Sequence, residues 1–309
     1  MASFIVVPLD GSSLAEQALP LAVQIAKQTD AVLLLIRVVP PMPLRYTPGS
    51  MANVQRLWET LRAAANRYLD DVARRLAETG VPVVTRLVEG DVGESIADMA
   101  DAHLTSYTVI STHGHTGVRR WRVGSVANRV LHLTRCPLFI LRPREEQQID
   151  LVNLPEINRI VVPLDGSPLA EKVLPHAQEV AQVCDAELLL FRALAPMPPA
   201  LVGAGRTSLE AEWYDPLRQG AQDYLSRVAS RLQAEGANVR LEIARGPAAD
   251  AILELAGREE ADLIAMTTHV REGFRRAMLG SVTDRVVRAG EVPVLVTRPS
   301  VGGRMKEEG

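Results

Sequence analysis

Short runs that are apolar on both faces alternate along this chain with longer stretches that are apolar on one face only. In the first half the short runs predict strands near 3–8, 31–39, 82–88, 107–111 and 137–141. The longer stretches predict helices near 13–29, 51–79, 93–102 and 124–134. The second half repeats the series, with strands near 158–163, 187–194, 238–244, 262–267 and 293–297. Its helices are predicted near 168–184, 207–235, 247–258 and 280–290. Runs of Val, Leu and Ile without polar alternation mark parallel strands covered by helices on both sides. In the long helix, Leu57, Leu61, Ala65, Tyr68, Val72 and Leu76 keep one apolar face. Its twin carries Leu217, Ala221, Tyr224, Val228 and Leu232, and Gly80 and Gly236 stop the two helices. Core packing accounts for the stripe. Strand and helix in strict alternation predict an α/β fold with open, doubly wound parallel sheets.

The repetition is long. Ile5-Val-Val-Pro-Leu-Asp10-Gly-Ser returns as Ile160-Val-Val-Pro-Leu-Asp165-Gly-Ser, an offset of 165 − 10 = 155. Tyr68 and Tyr224, Gly90 and Gly246, and Gly124-Ser125 and Gly280-Ser281 match at 156, so one residue was inserted in between. A period this long is a duplicated domain and not a solenoid unit. The expected division is a first domain over 1–143, a polar, proline-flanked linker over 144–157, a second domain over 158–300 and a frayed tail over 301–309.

Composition narrows the functions. A net charge of -3 gives no electrostatic case for a nucleic-acid binder. Cys136 and Cys184 share no short spacing, which argues against a disulfide framework or zinc site and for a reducing, cytoplasmic setting. No run reaches membrane-spanning length, and no membrane partner is expected.

In an open parallel sheet, ligands bind beyond the carboxyl ends of the strands, where strand order reverses. Two segments could meet there. One is Pro8-Leu9-Asp10-Gly11-Ser12 after the first strand. The other runs from Ser111 through Gly114 and Gly117, past Arg119, Arg120 and Arg122, to Gly124-Ser125 before a helical pattern. Glycines expose backbone N–H groups and a helix start adds unpaired donors, so the stretch suits an anion. Each feature has a plainer reading as well. Asp10 before Gly-Ser can simply shape a turn, Ser125 can simply cap a helix, and the arginines can form a solvated face. Arg37 and Arg192, unusual in apolar strands, are expected to make structural ion pairs near the strand ends.

These residues together resemble the universal stress protein family. Val-Pro-Leu-Asp-Gly-Ser, Ser-Thr-His-Gly-His-Thr-Gly, and the nine residues between Gly114 and Gly124-Ser125 carry the likeness, which covers nearly the whole chain twice. The resemblance implies a tandem protein whose halves each have five parallel strands in the order 3-2-1-4-5, like adenine nucleotide alpha hydrolases. It implies ATP as ligand, with Mg2+, for members keeping the motif Gly, two residues, Gly, nine residues, Gly, then Ser or Thr. The first half offers Ser111, Gly114, Gly124 and Ser125; the second offers Thr267, Val270, Gly280 and Ser281. Val270 is the graver departure, since a β-branched residue disfavours positive φ and crowds a phosphate. The first half is therefore expected to bind ATP better. By the same resemblance Asp10 and Asp165 face the ribose, Val38 and Ala193 the adenine, and Ser125 and Val126 the phosphates. It also implies intramolecular pairing of the halves through their last strands, with a further homodimer and a regulatory protein partner left open.

No Gly-x-x-x-x-Gly-Lys-Ser/Thr sequence occurs, so the ordinary ATPase phosphate loop is absent. His113 and His115 lack a third metal ligand in sequence reach. No dedicated catalysis is expected, although slow ATP hydrolysis is compatible with positioned phosphates. The competing reading is a nucleotide-independent interaction scaffold with degraded sites.

Overall fold

The computed structural model describes residues 3–41, 51–102, 105–112, 124–144, 148–198, 207–268 and 280–298. The first half contains β1 (Phe4–Pro8), α1 (Ser13–Glu16), α2 (Leu19–Thr29), β2 (Val32–Val39), α3 (Met51–Ala77), β3 (Val83–Glu89), α4 (Val92–Ala102), β4 (Thr105–Ser111), α5 (Ser125–Leu133) and β5 (Leu138–Leu141). The second contains β6 (Arg159–Pro163), a 3-10 turn (Ala170–Val173), α6 (Leu174–Cys184), β7 (Glu187–Leu194), α7 (Thr207–Ala234), β8 (Val239–Arg245), α8 (Ala248–Arg258), β9 (Leu263–Thr267), α9 (Ser281–Ala289) and β10 (Val294–Thr297).

The helices expected over 13–29 and 168–184 are each interrupted. Pro20 and Pro175 occupy the first turns of α2 and α6. A proline ring clashes with the carbonyl four residues back and supplies no N–H, so the helix restarts there. A short α1 precedes the break in the first half and a 3-10 turn in the second.

Among the described residues ten strands form one sheet in the order β3-β2-β1-β4-β5-β10-β9-β6-β7-β8. Each half is the expected parallel 3-2-1-4-5 arrangement. The two last strands pair antiparallel, Val294 with Ile140, Leu295 with Phe139 and Val296 with Leu138. Phe139 thus faces its own repeat twin, since 295 − 139 = 156, and the seam is an internal twofold. Pairing removes what would otherwise be two exposed apolar edges. The residues following the two strands lock the seam reciprocally. Arg142 donates to the carbonyl of Arg288 at the end of α9, and Arg298 donates to the carbonyl of His132 at the end of α5. Each guanidinium meets the negative end of the other half's helix.

Side chains alternate across the sheet and bury on both sides. Ile5, Val7, Leu33, Leu35, Tyr107, Phe139, Leu188, Leu190 and Leu295 pack under α2, α3, α6 and α7. Val6, Leu34, Ile36, Leu138, Leu189, Phe191 and Val294 pack under α4, α5, α8 and α9. Under α2 and α6, which meet across the seam, Tyr107 donates to a Glu179 carboxylate oxygen at 2.6 Å. Burial, and then this hydrogen bond, holds the Tyr107 hydroxyl well above its ordinary range.

In the apolar stripe of α3, Ala65, Val72 and Leu76 are buried and Tyr68 partly so, but Leu57 and Leu61 are 61% and 49% exposed. A 27-residue helix runs about 40 Å, against about 26 Å for an eight-residue strand such as β2. Its first turns overhang the sheet. The described residues of the segment between the halves make contacts with both halves' folds. Leu151 and Leu154 pack on the core, Ile157 is buried, and Gln17 exchanges two hydrogen bonds with the Arg144 backbone.

Candidate functional site

In each half the loop after the first strand rises over the carboxyl edge of the sheet. Asp10 accepts from the Ser12 amide at 2.9 Å and from its hydroxyl at 2.6 Å. Ser12 in turn caps α1 by accepting from the Ala15 amide. Asp165 accepts from the Ser167 amide at 2.8 Å, and Ser167 accepts from Ala170. The turn-shaping role of the aspartates is therefore real, and it fixes where their carboxylates stand. Between them and the serines, Gly11 and Gly166 adopt φ of +87° and +86°. A Cβ at either would also lie against the Arg37 or Arg192 guanidinium, at 2.9 and 2.5 Å. The turn needs glycine for its dihedral, and the missing Cβ leaves room for the arginine to approach.

The other wall comes from the last helix of each half. Gly124 and Gly280 are the N-caps of α5 and α9, neither helix having a side-chain cap. Ser125 and Ser281 are the first helical residues, so the capping role open to Ser125 from sequence falls to Gly124. A glycine cap leaves the first-turn N–H groups without a side-chain acceptor, which keeps them open to an anion. The cap residue is tied to the preceding strand end: the Gly124 amide donates to Thr112 O at 2.8 Å, and the Gly280 amide to Thr268 Oγ1 at 3.3 Å.

In the second half these walls enclose a cavity of about 290 Å3. Asp165, Ala193, Thr267, Gly280 and Ser281 line it together with Phe191, Ile252, Met266 and Val282. The cavity thus brings five positions predicted from sequence to one place and adds an apolar wall from α8 that sequence reasoning missed. The equivalent first-half residues hold matching positions. Val38 packs on the same sheet face as Ala193, Ser111 ends β4, and Val126 follows Ser125 in the first turn of α5. Gly114, Gly117, the histidines 113, 115 and 269, Arg119, Arg120, Arg122, Val270 and Gly273 lie outside the described residues.

Behind each loop, on the opposite sheet face, is a polar network that no sequence motif announces. The Arg37 guanidinium lies 4.9 Å from the Tyr68 ring centre. Tyr68 donates to Glu16 at 2.9 Å, and Arg75 pairs with the second oxygen of that carboxylate. The twin is Arg192 at 5.3 Å from the Tyr224 ring, Tyr224 donating to Glu171 at 3.1 Å, and Arg231 on Glu171 at 2.9 Å. Burial foremost, then Glu16, holds the Tyr68 hydroxyl well above its ordinary range, with Arg37 opposing and Asp10 adding. Arg37 and Asp10 therefore both act on one ring. The tyrosines were legible only as members of a core stripe; the recurrence of all four residues at the repeat offsets was the signal available.

Among the described residues no helix is long and apolar enough to cross a membrane.

Comparison with known proteins matches the model of the Universal stress protein family at residues 1–142 and again at 156–298. A universal stress protein of Mycolicibacterium smegmatis is 26% identical over 302 residues, covering 96% of this chain and 97% of its own. Universal stress protein MJ0531 of Methanocaldococcus jannaschii is 33% identical over 141 residues, 45% of this chain and 81% of its own. Among solved structures, a universal stress protein from Archaeoglobus fulgidus superposes with a TM-score of 0.69 at 19% identity, covering 96% of this chain and 98% of that one.

Proposed function

Because the chain belongs to the universal stress protein family in both of its halves, we propose that it binds ATP at the carboxyl ends of its strands and acts in stress responses through nucleotide-dependent regulation. The observation that carries this reading is the cavity of the second half. Its apolar walls, Ala193, Phe191, Ile252 and Met266, suit a purine base. Asp165 at its rim offers a carboxylate to ribose hydroxyls. The uncapped start of α9 offers N–H donors to phosphate. At about 290 Å3 it sits at the small end of ligand pockets, roughly 300–1,000 Å3, so the nucleoside fills it and the phosphates run outward along the helix start. Mg2+ would neutralise the phosphates there; Asp10, Ser111, Gly124, Ser125 and Val126 form the corresponding set in the first half.

The two halves share the nucleoside end and differ in the phosphate loop. Gly114 in the first becomes Val270 in the second, so the first crevice is proposed to hold triphosphate more tightly. Nucleotide extracted from the purified protein, and ATP titrated onto the stripped full chain, test the reading. Gly114→Val is expected to remove most binding, and Val270→Gly to raise the stoichiometry or leave it unchanged. Neither copurified nor added ATP above background would favour the scaffold reading instead.

A further inference from the structure

Along a strand, neighbouring side chains point to opposite faces. Ala193 lines the cavity, so Arg192 stands on the other side of the sheet, behind the Asp-Gly-Ser loop. Val38 and Arg37 repeat the arrangement. Arg192 is not among the residues lining the cavity, yet each guanidinium stands close behind the loop that carries the aspartate, where a Cβ at Gly11 or Gly166 would lie 2.9 or 2.5 Å from it. It lies over a tyrosine ring, its central carbon 4.9 and 5.3 Å from the ring centres in the two halves. That tyrosine is anchored by a glutamate in the first turn after the loop, and the glutamate by a second arginine on the long helix. The loop is thus gripped from behind at its glycine and from beyond at its first turn. All four residues recur in the second half, at 155 for Arg37 and Glu16 and 156 for Tyr68 and Arg75. The phosphate loop changed between the halves and this quartet did not, so it does not serve triphosphate binding in particular.

We propose that Arg37 and Arg192 are positioning residues: each fixes the Asp-Gly-Ser loop so that the Asp10 or Asp165 carboxylate meets the ribose hydroxyls of the bound nucleotide. This rests on the nucleotide reading above and adds the origin of its sugar preference. An arginine suits the task because a planar cation stacks on a ring and stays charged at every physiological pH.

The experiment compares ATP with 2′-deoxy-ATP on the full chain. Wild type is expected to prefer ATP. In the double variant Arg37→Gln/Arg192→Gln, ATP affinity is expected to fall about tenfold, the worth of one well-placed hydrogen bond, and the preference for ribose to collapse. Arg37→Lys/Arg192→Lys, which keeps the charge on a flexible stem, is expected to retain part of it. If the glutamine variant does not fold, Tyr68→Phe/Tyr224→Phe asks the same question. It leaves the ring under the cation and cuts only the link to the glutamate, and the preference should fall about threefold. An unchanged ribose preference in a folded variant, or a wild type that does not discriminate, overturns the positioning role while leaving ATP binding intact. A wild type that takes up neither nucleotide removes the nucleotide reading and this inference together.

Discussion

Two glycines of the second half form a matched pair that measures how firmly Arg192 is held. Gly166 has φ of +86° and Gly236, which ends α7, has φ of +90°. A Cβ at Gly236 meets nothing within 4 Å, whereas at Gly166 it lies 2.5 Å from Arg192 Nη1. Alanine at Gly236 therefore costs only the left-handed backbone, about 1–2 kcal/mol. Alanine at Gly166 costs the same backbone term and must also move the guanidinium. The arginine tip is flexible, so the clash itself relaxes cheaply; what is lost is the stacking on Tyr224, about 0.5–1 kcal/mol at a partly exposed site. Gly166→Ala is thus expected to be the more destabilising by that difference. Urea unfolding followed by circular dichroism reads both midpoints, with unchanged slopes showing that the comparison is of stability alone. Equal losses for the two variants would show that Arg192 is not fixed behind the loop, and would remove the physical basis for its positioning role.

The seam offers further tests. Leu295, fully buried opposite Phe139, becomes a cavity in Leu295→Ala, with an expected loss of about 2–5 kcal/mol; a loss below 1 kcal/mol in the same urea assay would contradict the observed pairing. Tyr107→Phe removes a hydrogen bond whose acceptor, Glu179, is exposed and can take water. Its cost should stay near about 1 kcal/mol, and a cost resembling that of Leu295→Ala would refute this reading. His176, half-buried 6.2 Å from the Tyr107 ring, has its pKa lowered from 6.5 by burial, Glu179 opposing. The unfolded chain then takes the proton first, so this contribution is complete above the unfolded pKa and is lost as pH falls through it. Thermal midpoints should therefore drop as pH falls below about 6.5, and drop less in His176→Leu, which copies Leu21 of the first half; identical pH profiles would count against it.

Where the sequence was informative, one physical cause was usually at work alone. Strands buried on both faces must be apolar throughout, so Val6, Leu34, Leu189 and Val294 announced their elements. The strand ends at Asp10 and Asp165 and the turn glycines followed from dihedral demands that few residues meet. Two causes acting together were harder to read. The stripe of α3 satisfies helical periodicity from Leu57 to Leu76, but only part of it lies over the sheet; periodicity reports which face is apolar and not how far the neighbouring layer extends. Pro20 and Pro175 were visible and still did not end the predicted helices, because each lies near a permitted first turn as well as inside an apolar pattern. The apolar edges β5 and β10 did announce that something covers them, and the duplication supplied the answer, since each edge pairs with its repeat twin.

The same limit explains what was legible in the candidate site. Asp165, Gly280 and Ser281 stand out because their types are costly or unusual where they fall. The α8 wall of the cavity does not, since Ala248 and Ile252 are ordinary members of an apolar helix face. Nor does the role of Arg37 and Arg192. A cation near the end of a buried strand must find compensation, and an ion pair is the first expectation. The structure instead places each guanidinium between a glycine backbone and a tyrosine ring, an arrangement that needs three residues far apart in sequence. Tyr68 lies 31 residues after Arg37 and Glu16 lies 21 before it, as the numbering shows. No local pattern encodes that convergence. What encodes it is the duplication, because four residues that return together at 155 and 156 are bound by a shared geometry even where none carries a motif. The crevice is therefore defined by two sets of constraints of different origin. On the cavity face the Asp-Gly-Ser turn and the helix start are set by local backbone chemistry, and on the opposite face long-range packing sets each guanidinium behind the loop. On the positioning role proposed for Arg37 and Arg192, a ligand that meets Asp10 or Asp165 owes part of its binding energy to the side of the sheet it never touches.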